Sequence, residues 1–235
     1  MSKINISVEK LFELGAHFGH QSSRSHPKAK EYIYTEEGNV LVFDLVKTKQ
    51  LLADAISFLA KLAKDKKGIL FVGTKKQIKD KIKEAALNSG SYFINERWPG
   101  GMLTNFEQIK KSLKKMKDLK DMKNSGNLKD YTKKERLLID REITRLEELF
   151  GGLVGINELP SALVVVDIRR EKTAVFEASK MGVPVVGIVD SNSDPNMVDY
   201  PIPMNDDSTE AVGYVLSLIS EGVKMAREGK KVEIE

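Results

Sequence analysis

No cysteine occurs anywhere in the 235 residues. Disulfides, thiolate metal sites and a cysteine nucleophile are therefore excluded. Tryptophan occurs once and histidine three times. No apolar run approaches the ~18 residues of a membrane span. The opening MSKINISVEK lacks the apolar core of a secretion signal. The expectation is a soluble, cytoplasmic chain with no membrane partner. Enzyme fingerprints are also missing. There is no G-x-G-x-x-G, no G-x-x-x-x-G-K-[ST] and no G-x-S-x-G, which removes the usual signatures of dinucleotide binding, P-loops and nucleophile elbows.

What is present is a chain with 41% hydrophobic residues, enough for a packed core, and a formal charge of only +4. That small number hides an uneven distribution. Residues 61–83 hold nine lysines against Asp65 and Asp80. Residues 105–150 carry 13 basic and 9 acidic residues, whereas residues 160–235 carry 8 basic and 13 acidic. Such clustering suits a polyanion on one side of the molecule, although lysine-rich solvated helices produce the same counts.

Apolar tetrads at 40–43, 69–72 and 163–166, the pentad at 185–189 and the triad at 92–94 read as strands without period-two alternation. Helical patterns follow several of them. Ser7 opens a short helix that Gly15 can close. Leu52, Ala55, Ile56, Leu59 and Leu62 share one helical face, and Thr74 and Gln77 have the spacing of a capping box. A helix over 172–181 ends at Gly182, and the last one starts near Asp207 and buries Val212, Val215, Leu216, Ile219 and Val223. Unalternating strands interleaved with helices indicate an α/β fold. We expect a flavodoxin-like, doubly wound, mainly parallel sheet of about five strands. The alternation breaks at 105–150. Thr104–Glu107 and Thr132–Glu135 are capping boxes, each followed by one narrow apolar stripe, and Asn124–Asn127 between them is a turn signal. This predicts an inserted antiparallel helical hairpin of coiled-coil type projecting from the sheet domain. The sheet domain then comprises 1–104, with an N-terminal extension, and 151–235.

Candidate sites fall into four groups. Asp44, Asp167 and Asp190 stand at the carboxyl ends of predicted strands, where an α/β enzyme places its chemistry; acids there also cap the turns that follow, and that reading is preferred. His17, His20 and His26, with Asp190, Asp194, Asp206 and Asp207, contain the right atoms for a metal. Gly19 interrupts His-Phe-Gly-His and no third ligand has diagnostic spacing, so no metal or other cofactor is assigned. Arg97–Asn105, with adjacent glycines and the one tryptophan, reads as a rigid corner leading into the hairpin. Lys75 and Lys76, placed at a predicted helix start and followed by Lys79, suit phosphate. Arg24, Lys28 and Lys30, and Lys110, Lys111, Lys114 and Lys115 on the hairpin, extend the candidate phosphate contacts. Arg97, Arg169 and Arg170 belong either with them or with internal acids. Gly152-Leu-Val-Gly155 has the spacing of a phosphate clamp but lacks its polar centre. No catalytic residue is assigned; the alternative is a doubly wound enzyme acting on a phosphorylated metabolite at Gly73–Lys76.

Several stretches resemble the second protein of the bacterial small ribosomal subunit. They are Leu11–His20, Phe71–Gln77, Arg97–Phe106, Pro160–Glu171 with Gly182-Val-Pro184, Ile188–Pro195 and Val198–Pro203. The stretches fall in the family's order, and the resemblance covers nearly the whole chain. Two positions depart from the family pattern: Ser25-His26 stand where Trp-Asn is usual, and Met204 where glycine is usual. The resemblance implies a structural ribosomal protein, not an enzyme. It implies binding to small-subunit ribosomal RNA on the solvent side near the head–body junction. It also implies contact with neighbouring small-subunit proteins, including the largest one, which captures messenger RNA and which this protein would help dock.

Overall fold

The computed structural model describes residues 3–125 and 131–234. The chain runs β1 (Lys3–Ile4), α1 (Val8–Glu13), β2 (Phe18–Gln21), β3 (Ile33–Glu37), β4 (Val40–Phe43), α2 (Leu45–Lys64), β5 (Ile69–Val72), α3 (Lys79–Ser89) and β6 (Tyr92–Ile94). It continues through α4 (Phe106–Asn124), α5 (Lys133–Phe150), β7 (Ala162–Val166), α6 (Lys172–Met181), β8 (Val185–Val189), β9 (Tyr200–Pro203), α7 (Thr209–Arg227) and β10 (Glu233–Ile234). Among the described residues no helix is long and apolar enough to cross a membrane.

The central sheet is entirely parallel, in the order β6-β5-β7-β8-β9. Numbered along the chain, that is second, first, third, fourth, fifth: the flavodoxin order. Successive residues of one strand serve opposite layers. Ile69 and Phe71 pack under α2, α3 and α7, while Leu70 and Val72 pack under α6 and the base of the α4–α5 pair. With both faces covered, the strands need no polar side, which is why β5, β7 and β8 are buried at every position.

The five strands are not the expected five. Val40–Phe43 lies outside the parallel sheet, in a three-stranded antiparallel sheet of order β2-β4-β3. Its burial alternates, as befits a sheet with only one face covered. The missing member is β9, Tyr-Pro-Ile-Pro. Two prolines hide it from a strand search, yet an edge strand tolerates them because one side needs no ladder donors.

α4 and α5 run antiparallel, cross-linked by Lys115–Glu142 at 2.7 Å, Lys120–Glu147 at 2.6 Å and Lys123–Asp140 at 2.8 Å. Phe106, Ile109, Met116, Leu146 and Phe150 join the same apolar cluster as Leu70 and Val72. The base of the arm is thus continuous with the core. Gly152 follows α5 where an added Cβ would overlap the Phe93 carbonyl, so the chain re-enters the sheet domain in direct contact with β6. Of the turn read at 124–127, residues 126 and 127 lie outside the described residues.

Candidate nucleic-acid interface

The loops at the carboxyl edge of the parallel sheet gather many of the polar residues singled out above. Gly73–Ile78 follows β5, Asn95–Asn105 follows β6, Asp167–Glu171 follows β7, Asp190–Asp194 follows β8 and Met204–Ser208 follows β9. The crevice where doubly wound enzymes hold a ligand lies between the first strand and the third, here β5 and β7. In this chain it is closed from within. The Thr74 amide and hydroxyl both donate to Glu171 Oε1, at 2.9 and 2.6 Å, and Arg170 Nε donates to the same hydroxyl at 3.1 Å. Burial pushes the Glu171 carboxyl up, and the Thr74 donors only partly offset it.

Thr74 therefore caps no helix with Gln77. α3 begins at Lys79, with Ile78 as its unassisted N-cap, and Lys75 and Lys76 belong to the preceding turn. The expected pairing of helix amides with these two ammonium groups is corrected accordingly. The Thr104–Glu107 box is also replaced. Thr104 donates through its amide and hydroxyl to Glu177 Oε2, both at 3.2 Å, and α4 starts at Phe106 after Asn105, which makes no side-chain cap. Glu177 further accepts from Trp98 Nε1 at 3.0 Å, the Gly101 amide at 2.8 Å and the Leu103 amide at 3.0 Å. Burial raises this carboxyl, but the converging donors outweigh it and hold it below the usual range. The rigid corner expected at 97–105 is thus an anion nest wrapped around the chain's own glutamate.

A second buried cluster joins β8, β9 and the N-terminal extension. Asp190, 1% exposed, accepts from the Ser191 amide at 2.5 Å, the Asp206 amide at 3.2 Å and, across 2.9 Å, faces His20 Nδ1. Lys75 reaches the Asp206 carboxylate at 3.0 Å and also pairs with Asp207. Burial, then the charges of Asp167 and Asp190, push Asp206 up to about 7 against the pull of Lys75. Burial lowers Lys75, but Asp207 and Asp206 outweigh it and leave its ammonium above the usual range. His17 stacks on Phe12 at 4.1 Å, and burial lowers it. His26 accepts from the Lys28 amide at 3.4 Å. Among the described residues no group of three or more His, Cys, Asp or Glu is placed to hold a metal ion. Asp44 and Asp167 cap as expected, accepting from the Val46 and Arg170 amides at 3.0 and 2.9 Å.

The thirteen candidate cations separate into two sets. Lys28 pairs with Asp194, Lys75 with Asp206 and Asp207, Lys79 with Glu96, Lys110 with Glu107 and Lys115 with Glu142, while Arg170 is turned onto Thr74. Arg24, Lys30, Lys76, Arg97, Lys111, Lys114 and Arg169 are exposed or nearly so and make no ion pair with any described residue. Lys76, Arg97 and Arg169 stand on three neighbouring strand-end loops, after β5, β6 and β7. Sequence reasoning missed Glu171 and Glu177, the acids that organise this edge. The available signal was a glutamate on the apolar side of α6, beside Ala174 and Ala178, since an unpaired charge is not buried there without partners. A family model described as ribosomal protein S2 matches residues 11–226, and the chain accordingly belongs to the ribosomal protein S2 family, whose members are structural constituents of the small ribosomal subunit in translation and not enzymes.

Proposed function

We propose that this chain binds small-subunit ribosomal RNA through the cations its own acids leave unpaired. The observation that carries the reading is the division just described. Lys76, Arg97 and Arg169 share one edge of the sheet without ion-pair partners among the described residues, with Arg24 and Lys30 on the N-terminal extension and Lys111 and Lys114 on the arm. Cations free of internal carboxylates release condensed counterions when they meet phosphates, and loop geometry sets the register. Lys75, buried against Asp206, acts mainly by fixing the shape of that surface, while Lys28, Lys79, Lys110, Lys115 and Arg170 must exchange an internal partner for phosphate. Membership of the family supports association with ribosomal RNA and with other ribosomal proteins. The rival reading, an enzyme acting on a phosphorylated metabolite at Gly73–Lys76, loses its anion site because the Thr74 amide holds Glu171.

The test is filter binding of the full chain to protein-free small-subunit RNA over a salt series. Changing Lys76, Arg97 and Arg169 together to glutamine is expected to weaken binding and flatten the log–log salt slope by up to ~2.7 on duplex RNA, at ~0.9 per contact. Unchanged affinity and slope would remove these residues from the interface. We further propose that the protein helps dock the largest small-subunit protein. Phe12 and Phe18, 59% and 52% exposed on either side of His17, offer an apolar surface for a protein partner. Replacing both by alanine should reduce retention of that protein in a pull-down; undiminished retention would refute the assignment of this surface.

A further inference from the structure

α6 presents an outer face unlike the rest of this highly charged molecule. Its exposed positions are Lys172, Thr173, Phe176, Ser179, Lys180 and, at its end, Met181; Ala174, Val175, Glu177 and Ala178 are buried. Residues four apart lie on one ridge of a helix, roughly 5–6 Å between Cβ atoms. Phe176 is therefore centred on a ridge with an ammonium one turn before it and another one turn after. It is 66% exposed. Lys172 and Lys180 make no ion pair with any described residue, and the unpaired Arg169 stands three residues ahead of the helix. Among the described residues of α6 no acid occupies this face. The two nearest, Glu171 and Glu177, are turned inward onto Thr74 and onto the nest at 98–104. Those bonds also anchor the helix, so the ridge is held rigidly.

A lone exposed phenylalanine on a protein surface is ordinary. One bracketed by cations, on a face from which every carboxylate has been withdrawn, has a defined chemical complement: a flat π-system joined to negative charge on both sides. An unstacked nucleotide supplies both parts, its base for the ring and its flanking phosphates for the ammonium groups. We infer that the Lys172–Phe176–Lys180 ridge is a stacking platform for an unpaired base of small-subunit ribosomal RNA. The inference rests on the RNA-binding reading above and deepens it. It adds a contact to base faces, insensitive to salt, beside the phosphate contacts of the strand-end loops.

The two kinds of contact separate in one experiment. Full-length wild type, F176A, F176W and the K172Q/K180Q pair are titrated with protein-free small-subunit RNA over a salt series. Loss of a stacked base is worth roughly five- to 150-fold in affinity. F176A should lose at least five-fold with an unchanged salt slope, and F176W should bind as wild type does. K172Q/K180Q should flatten the slope by up to ~1.4, at ~0.7 per contact on a single strand. Unchanged thermal unfolding of F176A, expected for so exposed a side chain, attributes its loss to binding. F176A that binds RNA normally overturns the inference and leaves the phosphate reading standing. So does F176W failing as F176A does, and so does F176A that binds RNA normally but is poorly retained in reconstituted subunits, which would make the ridge a protein contact. Wild type that does not bind the RNA sinks both readings together.

Discussion

Lys75 and Lys115 each meet a carboxylate, at 3.0 and 2.7 Å, yet the two pairs belong to different physical regimes. At the carboxyl edge of the sheet, the Lys75 and Asp206 side chains are 13% and 5% exposed. On the arm, those of Lys115 and Glu142 are 58% and 26% exposed. Removing one partner of a buried pair strands a charge in a poor solvent, whereas water replaces either partner of an exposed pair at little cost. A count of charges in the sequence treats the two regions alike. Only burial distinguishes the charges that hold the fold from those left to meet an outside partner.

Five expected outcomes bear on that contrast. The largest concerns where one region ends and the other begins. We propose 105–150 as an insert in the chain, but its base shares the core: Ile109 and Leu146 are buried against the sheet layer. Replacing 117–139 by a short Gly/Ser linker should leave one cooperative unfolding transition of nearly wild-type midpoint in urea. Replacing 107–148 removes both residues and should lose about 4 kcal/mol or more, at ~2–5 kcal/mol for each large apolar side chain. Equal stabilities for the two deletions would show that the arm contributes nothing to the core.

Next comes the nest at the sheet edge. Glu177→Ala deprives Trp98, Gly101, Leu103 and Thr104 of their shared acceptor, and should cost about 3–5 kcal/mol in urea unfolding, given ~1–3 kcal/mol per orphaned buried donor. A loss under ~1 kcal/mol would show that water satisfies the nest as well as the glutamate does.

Lys75→Gln and Lys76→Gln then form a matched pair. The first should cost about 2–3 kcal/mol at pH 8, because Asp206 is left buried without its cation. The second should stay within ~0.5 kcal/mol and instead flatten the salt dependence of RNA binding. The reverse result would return Lys75 to the RNA-facing set.

The pH dependence is opposite for the two buried acids. Asp206, raised to about 7, binds its proton more tightly in the folded state. Its contribution to stability is full below the ordinary aspartate range and is lost as pH rises through about 7. Glu177, held below the usual range, contributes stability that is present above that range and lost as pH falls through it. Thermal unfolding of Asp206→Asn between pH 5 and 8 should therefore decline less steeply with rising pH than wild type does. An identical decline would remove Asp206 as its source. The smallest effect belongs to the arm: Lys115→Gln or Lys120→Gln should each change stability by less than ~0.5 kcal/mol, as exposed pairs do. A loss above 1 kcal/mol would place these pairs in the same class as Lys75.

Features decided within one turn or one strand were legible in the sequence. β5, β6 and β8 occupy the expected residues because an unalternating apolar run has no amphipathic alternative in a doubly covered sheet. Thr132 and Glu135 form their capping box because both partners lie within four residues, and no distant group among the described residues competes for them. Gly182 ends α6 in the left-handed conformation, at φ 67°, for an equally local reason. The same local signals failed wherever a distant carboxylate was available. Thr74 gives its donors to Glu171, 97 residues away, and Thr104 to Glu177, 73 away. A buried carboxylate must be surrounded by donors, and the strand-end loops bring it to amides that a neighbouring glutamine or glutamate would otherwise cap. Lys75 was withdrawn from solvent by Asp206 and Asp207, 131 and 132 residues on. Val40–Phe43 and Tyr200–Pro203 exchanged places in the expected sheet because strand membership depends on the neighbour available, and an edge position accepts prolines that an interior strand would not. Local spacing determined which bonds each segment was able to make; the tertiary structure decided which were made, because burial makes an unsatisfied distant charge more costly than a missing local cap.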